Sequence, residues 1–401
     1  MKKHKKDQWN WTWLKSSAVR RIWKILSSNG AKVYFVGGCV RDTILGREIK
    51  DIDIATDALP SKVVELAQAA GLKVIKVGLK YGSVKVVVEQ ECFEVTTFRS
   101  DLVTDGRHPK VGFSQNILDD ASRRDFTMNA IYMTIDGKII DPLSGWEDLI
   151  NGHVRFIGEP EKRIKEDYLR ILRYFRFIST YVGSVESVDY NSVKACTEAI
   201  PGLKTLSHNR VWEELQKILL AEDPYPVLQL MKGSNILDEI LPLANVGCLA
   251  RFLKIENKVD LESTEINRLL ALNINCARSW VKNFPLKKEK IEWLKKILVI
   301  LRDHSSLKVK GYKYGINLTL ASLALSKANS SEKIENNDLA NIKQGSVKKF
   351  PINASDLLEF FPPSRDLGVE LKRLQCLWFA SDLELGRNEL LVKLKKQLHS
   401  K

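Results

Sequence analysis

The segment Val36-Gly-Gly-Cys-Val-Arg-Asp42, followed nine residues later by Asp51-Ile-Asp53, restricts the fold of this chain more than any other. Lys32–Val36 reads as a short apolar strand, the glycine pair as a turn, and Arg41–Leu45 as the helix leaving it. Ile49–Ala55 reads as a second strand. Side chains alternate along a strand, so Asp51 and Asp53 are expected on one face, with Ile52 and Ile54 turned to a core. Two like charges so close are unfavourable unless a cation lies between them. The arrangement is the layout of a metal-dependent site for a nucleoside triphosphate. An exposed, solvated strand edge is the plain alternative.

Around that nucleus the chain has two characters. Ser61–Ala70 reads as a helix closed by Gly71, and Lys73–Val77, Ser83–Glu89 and Cys92–Arg99 as strands. Asn129–Ile135 and Lys138–Ile140 add two more, giving a small mixed head. Beyond Gly158 the periods are helical: Glu161–Tyr181, Asn209–Ala221, Tyr225–Lys232, Ile266–Leu272, Lys288–Leu301, Ala354–Phe361, Gly368–Ala380 and Arg387–Leu398. Residues 326–348 are polar and read as a loop between helical units. The expected fold class is α+β, a small mixed-sheet head followed by an elongated all-helical neck, body and tail. The expected divisions are a basic extension and helix at 1–30, a head at 31–145, a neck at 146–205, a body at 206–325 and a tail at 326–401.

Composition narrows the setting. No run of 18 apolar residues exists to span a membrane, and the lysine-rich start lacks the apolar core of a secretory signal. Six widely spaced cysteines without a Cys-x-x-Cys pair argue against a disulfide framework and a zinc site, and suggest a reducing cytoplasm. A formal charge of +14 suggests a polyanionic partner, with nucleic acid first, although solubility alone is a sufficient reason for it.

Further residues fit a triphosphate site, each with a plain structural alternative. Gly37 and Gly38 lack Cβ atoms and permit phosphates to approach backbone N–H groups at a helix start; a tight turn needs the same pair. Arg41, one turn on, has the reach for phosphate. Glu94 lies mid-strand in Phe93-Glu-Val-Thr-Thr-Phe-Arg99, where it either completes a carboxylate set for two Mg²⁺ ions or faces water on an edge. Arg124, Asp125 and Asn129 in Arg123-Arg-Asp-Phe-Thr-Met-Asn-Ala130 suit phosphate and ribose, or a helix-end salt bridge. Asp167, Arg170, Arg173 and Arg176 recur every three residues, as a functional stripe down one helix or a salt-bridged face.

Taken in order, Gly-Gly-x-Val-Arg-Asp, Asp-x-Asp, Glu-Val-Thr-Thr-Phe-Arg, Arg-Arg-Asp-Phe-Thr-x-Asn-Ala and Glu-Asp-x-x-Arg-x-x-Arg resemble the class II tRNA nucleotidyltransferases. These are the bacterial and eukaryotic CCA-adding enzymes and their relatives, the bacterial poly(A) polymerases. The resemblance runs from about Val33 to Leu220 and continues more weakly from Phe350 onward. It implies addition of C, C and A to the 3′ end of tRNA from CTP and ATP, with Mg²⁺ on Asp51 and Asp53 and Glu94 beside them. It implies nucleotide contacts from Gly37, Gly38, Arg41 and Arg124, and from Asp125 and Asn129 near the sugar. Asp167 and Arg170 would read the base, with Arg173 and Arg176 in support. The polar segment Ser100–Pro109 would be a mobile loop assisting the change from CTP to ATP, with Asp105 and Arg107 at its charged positions. A motif that usually reads Ser-x-Glu-Arg has Asn209 in place of Glu. A poly(A) polymerase, a partial enzyme adding only CC or A, and a silent RNA-binding protein are the alternatives.

The base-reading physics stands apart from the resemblance. Cytosine and adenine each present an exocyclic amine beside a bare ring nitrogen, so Asp167 can accept from one while Arg170 donates to the other. Uracil and guanine present the opposite pattern, and a buried mismatch costs about 1–3 kcal/mol.

Overall fold

The computed structural model describes residues 11–398 apart from 77, 104–109, 184, 186, 187, 362 and 364. Asp105 and Arg107 lie outside the described residues. The strands are β1 (Val33–Val36), β2 (Asp53–Thr56), β3 (Lys73–Ile75), β4 (Ser83–Val88), β5 (Glu91–Thr97), β6 (Arg99–Val103), β7 (Lys110–Phe113), β8 (Tyr132–Met133) and β9 (Ile139–Ile140). The helices of the first half are α1 (Ser17–Ser27), α2 (Gly38–Ile44), α3 (Pro60–Ala69), α4 (Ile117–Ser122), α5 (Gly145–Asn151), α6 (Pro160–Glu166), α7 (Leu169–Tyr181), α8 (Tyr190–Glu198), α9 (His208–Leu219), α10 (Tyr225–Gly233) and α11 (Ile236–Ile240). The second half adds α12 (Val246–Lys258), α13 (Glu265–Leu272), α14 (Ala277–Asn283), α15 (Lys288–Arg302), α16 (Leu307–Tyr314), α17 (Ile316–Ser330), α18 (Asn336–Val347), α19 (Arg365–Ala380) and α20 (Arg387–Leu398). The expected mixed head and helical remainder are both present. The chain divides into two compact units, ending at Pro242 and beginning at Leu243.

In the first unit a seven-stranded sheet runs in the order β3-β4-β5-β2-β1-β8-β9, and β6 and β7 form a separate ribbon. Only β2 and β5 pair in parallel; all other neighbours in the large sheet are antiparallel. Alternation decides which faces are apolar. Val84, Val86 and Val88 of β4 and Phe93 and Val95 of β5 are buried, under α1 and α3. Val36, Ala55, Phe98, Ala130 and Tyr132 belong to a second buried cluster. The register sets Asp53 beside Glu94 and Glu94 beside Lys85, three polar residues in a row across β2, β5 and β4.

Four expectations are corrected. The second strand begins at Asp53, so Asp51 lies on the preceding loop and not on the same strand. Ser100–Val103 is part of β6, paired with β7, where a loop was expected; the pairing partner lay across residues that read as polar turn. The single helix expected over Glu161–Tyr181 breaks at Asp167, whose backbone is extended at φ −157° and ψ 106°. Residues 326–348 are largely α17 and α18, because α18 meets its neighbour through glycine and needs few large apolar side chains.

The second unit is helical throughout. Residues Thr319–Leu325 of α17 are all buried, with α12, α13, α15, α16 and α18 packed around them. A helix covered on every side shows no amphipathic period, which is why its limits were not legible. Around Trp378 a further apolar cluster joins Leu357, Leu374, Leu390 and Leu394. No helix among the described residues is long and apolar enough to cross a membrane.

Candidate active site

Gly37 follows β1 at φ 75° and ψ −126°, a conformation that disfavours any Cβ, and α2 starts at the next residue. A Cβ built there would stand 3.8 Å from Asp53 Oδ2 and 3.7 Å from Arg124 Nη1. The carboxylate and the guanidinium therefore converge on the glycine turn from separate segments. Arg124 is held in place by Asp120, to which its Nη2 donates at 2.9 Å, and Tyr132 donates to the same oxygen at 2.7 Å. Burial opposes the Asp120 charge, yet Arg124 and Arg123 more than offset it and bring the carboxyl down to about 2.

Asp53 carries the opposite signature. Burial first, then the neighbouring Glu94, raise its carboxyl to about 6; Arg124 pulls the other way, and Asp51 adds to the rise. Glu94 is steadied from β4, accepting from Ser83 Oγ at 2.8 Å, with Lys85 Nζ at 3.8 Å. Cys39 sits beneath the turn as a buried thiol pushed up to about 12 by burial and by Asp53, so it is inert packing. Among the described residues no three His, Cys, Asp or Glu side chains form a complete metal-ligand group. What the structure brings together is an oxygen-only set of mutually repelling carboxylates beside the glycine turn and Arg124. That set suits a hard divalent cation whose other ligands are water or phosphate.

Arg41, Asn129, Asp125, Arg173 and Arg176 form one connected chain of polar contacts. Arg41 is buried, lies 4.4 Å over the Tyr181 ring and 5.1 Å from Phe177, and donates to Asn129 Oδ1. Asn129 Nδ2 donates to Asp125 Oδ1 at 2.8 Å, and Arg173 Nε donates to Asp125 Oδ2 at 2.7 Å. Burial would raise the Asp125 carboxyl, but Arg173 and the Asn129 amide hold it far below the ordinary range. Both of its oxygens are thus engaged by protein groups. Arg176 donates to Glu214 Oε2, whose other oxygen lies 3.7 Å from Arg173 Nη1. Glu214 is 4% exposed, and sequence reasoning missed it; a glutamate amid apolar residues of α9 was the signal.

Asp167 and Arg170 do not touch each other here. Asp167 Oδ2 accepts from Arg210 Nη2 at 2.7 Å and Oδ1 from the Leu169 N–H at 3.1 Å. Arg170 Nη1 donates to the Arg163 carbonyl at 2.7 Å and to Glu166. Asp167 is therefore no member of a helical stripe. It stands at the break between α6 and α7, while Arg170, Arg173 and Arg176 follow along α7. Asn209 is exposed.

The chain is similar to known proteins in both sequence and fold. Residues 33–155 match the family of the poly(A) polymerase head domain, and residues 187–247 match the probable RNA and SrmB-binding site of polymerase A. The mouse mitochondrial CCA tRNA nucleotidyltransferase 1 is 32% identical over 394 residues, covering 95% of this chain and 90% of its own. The CCA-adding enzyme of Streptococcus pneumoniae (strain G54) is 31% identical over 384 residues, covering 92% and 94%. The crystal structure of the Bacillus stearothermophilus CCA-adding enzyme in complex with CTP superposes with a TM-score of 0.71 at 26% identity, covering 96% and 98%.

Proposed function

The chain belongs to the CCA-adding tRNA nucleotidyltransferase family, and from that premise we propose how its own residues divide the work. It is a nucleotidyltransferase that adds CMP and AMP, from CTP and ATP, to the 3′ end of tRNA without a nucleic-acid template. In the reaction a tRNA 3′-oxygen attacks the α-phosphorus, its proton is lost, and the bond to pyrophosphate breaks. The observation that carries the site assignment is the convergence of Asp53 and Arg124 on Gly37.

Enzymes of this family depend on divalent metal. Asp51 and Asp53 are the residues assigned to hold Mg²⁺, with Glu94 beside them, because each raises or shares the unfavourable negative charge at Asp53. When bound, the ion lowers the pKa of the attacking hydroxyl and offsets charge on the leaving pyrophosphate. Gly37 and Gly38 leave room for the triphosphate at the α2 N-terminus, and Arg124 faces it with a side chain already fixed by Asp120. Arg41 and Asn129 border the sugar. Asp125 acts one step behind, orienting Asn129 and Arg173.

Asp167 and Arg170 are assigned to the base. Arg210 and Glu166 each occupy part of their hydrogen-bonding capacity, and a carboxylate with a guanidinium has further acceptor and donor positions to spare. Arg173 and Arg176, linked to each other by Glu214, are assigned to support them. Asp105 and Arg107 are assigned to the change from CTP to ATP. The head at 31–145 then performs the transfer and the neck at 146–205 reads the base. The lysine-rich body and tail, 206–325 and 326–401, serve the tRNA acceptor arm by shape and phosphate contact. Six cysteines without a disulfide support a reducing compartment, the cytoplasm, although relatives include a mitochondrial enzyme.

The test supplies tRNA lacking its 3′ CCA with Mg²⁺ and each triphosphate alone and together, and sequences the product. Addition stops after three nucleotides. Long A tails would assign a poly(A) polymerase, arrest after CC or A alone a partial enzyme, and no incorporation a silent RNA-binding protein.

A further inference from the structure

We infer that Gly202 is a positioning residue for base selection, acting through Tyr168 on Asp167, which rests on the reading of Asp167 as acceptor for the exocyclic amine. Tyr168 follows Asp167 at the break between α6 and α7. Asp167 is extended, whereas Tyr168 has already turned helical at φ −61° and ψ −16°. With the change of direction confined to these two residues, whatever seats the Tyr168 ring also sets the backbone of Asp167.

The seat is Gly202, buried in the 3₁₀ turn Ile200–Thr205. A Cβ built on Gly202 would lie 2.1 Å from Tyr168 Cδ1, 2.2 Å from Cε1 and 2.4 Å from Cγ. Cγ lies on the axis about which the ring flips, so no flip relieves that contact and the whole ring must leave. Gly202 is not among the glycines at positive φ, so the turn needs glycine there for space and not for backbone freedom. The turn is closed by its own hydrogen bonds: the Gly202 N–H donates to the Ala199 carbonyl at 3.0 Å, and Thr205 Oγ1 donates to the Gly202 carbonyl at 2.7 Å. Its packing against α8 and α11 opposes movement away from the ring.

The same stretch of chain leads into α9 and delivers Arg210 to the Asp167 carboxylate. Residues 200–210 thereby hold this aspartate twice, by its backbone through Tyr168 and by its charge through Arg210. A cavity of about 290 Å³ lined by Lys165, Tyr168, Ala199 and Gly202 adjoins the ring. It gives a displaced ring somewhere to go, so a chain with alanine at this position can fold with Asp167 carried out of place.

The experiment measures kcat/KM for CTP, ATP, UTP and GTP on full-length enzyme with tRNA primers, for Gly202→Ala, Tyr168→Ala, the double variant and Asp167→Ala. Gly202→Ala lowers the CTP-over-UTP ratio about tenfold, the scale of one mispaired hydrogen bond, with KM for tRNA unchanged. Tyr168→Ala lowers the ratio less, and in its background Gly202→Ala has no further effect, because the clash has lost its partner. Unchanged selectivity in Gly202→Ala, or additive losses in the double variant, overturns the positioning role. Should Gly202→Ala not fold, Tyr168→Ala decides alone: parental selectivity there overturns the inference. If Asp167→Ala itself keeps the parental ratio, the base-reading assignment fails instead.

Discussion

Helix α7, in the unit ending at Pro242, is buried along much of its length, whereas helix α18, in the unit beginning at Leu243, buries only Ile342 and Gly345; the two are held by different means. Around α7 an apolar face that includes Leu172, Tyr174 and Phe177 is joined by charged contacts: Arg173 on Asp125, Arg176 on Glu214, and Arg41 over Tyr181. Around α18 the contact is backbone on backbone. A Cβ on Gly345 would fall 1.8 Å from the Lys308 carbonyl oxygen, and one on Gly311 would fall 2.4 Å from that of Ile342. Buried ion pairs add little net stability against their desolvation, whereas close helix packing is favourable without orienting any polar group. The contrast teaches where orientation matters. The first unit gathers its arginines and carboxylates into one network around α7, whereas the second has a separate buried pair, Arg268 on Glu256, and joins α16 to α18 through glycine.

The largest expected effect concerns Asp53. Asp53→Asn lowers addition by about a thousandfold or more, the loss of several kcal/mol of charge stabilisation, while tRNA affinity measured by filter binding stays near the parental value. The same change has a stability signature. The Asp53 carboxyl titrates at about 6 in the folded chain against an ordinary 3.8, so folding favours its protonated form. That contribution is complete below pH 3.8 and is lost as pH rises through about 6. In chelator, the parental melting temperature therefore falls between about pH 4 and pH 6 relative to the variant's, and parallel curves would refute the repulsion argument.

Next in size is Glu214→Ala, which strands Arg176 and weakens the hold on Arg173. It costs about 3–5 kcal/mol in urea unfolding, the cost of an uncompensated buried charge. Glu214→Met should cost about as much, since the arginines still lack a partner; a Met variant as stable as the parent would show that this interior tolerates apolar packing in place of its ion pairs. Gly345→Ala follows at about 3 kcal/mol from overpacking, read in the same assay. Its loss should be confined to the second unit, with hydrogen exchange in α7 unchanged. Smallest is Arg387→Ala, which breaks an exposed pair with Asp356 and should move the melting temperature by under about 2 °C. A larger shift would mean that surface charge organises the second unit after all.

Much of the candidate site was legible because its signals are local. Glycine at φ 75° after a strand, two aspartates one residue apart and arginines three apart each announce themselves within a short window. The strand assigned to Asp51 failed because the loop ahead of β2 shares its composition. The α6–α7 break was invisible because Glu161–Tyr181 keeps a helical period across it; Asp167 opens the second helix by accepting the Leu169 N–H, an event that propensity does not weigh. The helices α17 and α18 were hidden for opposite reasons, one buried on every side and the other meeting its neighbour through glycine.

Residue order was enough to specify the mixed head, the helical remainder and the chemical types gathered for a triphosphate, since periodicity and side-chain chemistry need no partner to be read. Partnership was not. That Asp53 keeps its proton to about 6 while Asp120 gives its up near 2 follows from burial and from which charges lie across the fold. Two aspartates are the same residue in sequence, and the field at each is set by segments far along the chain.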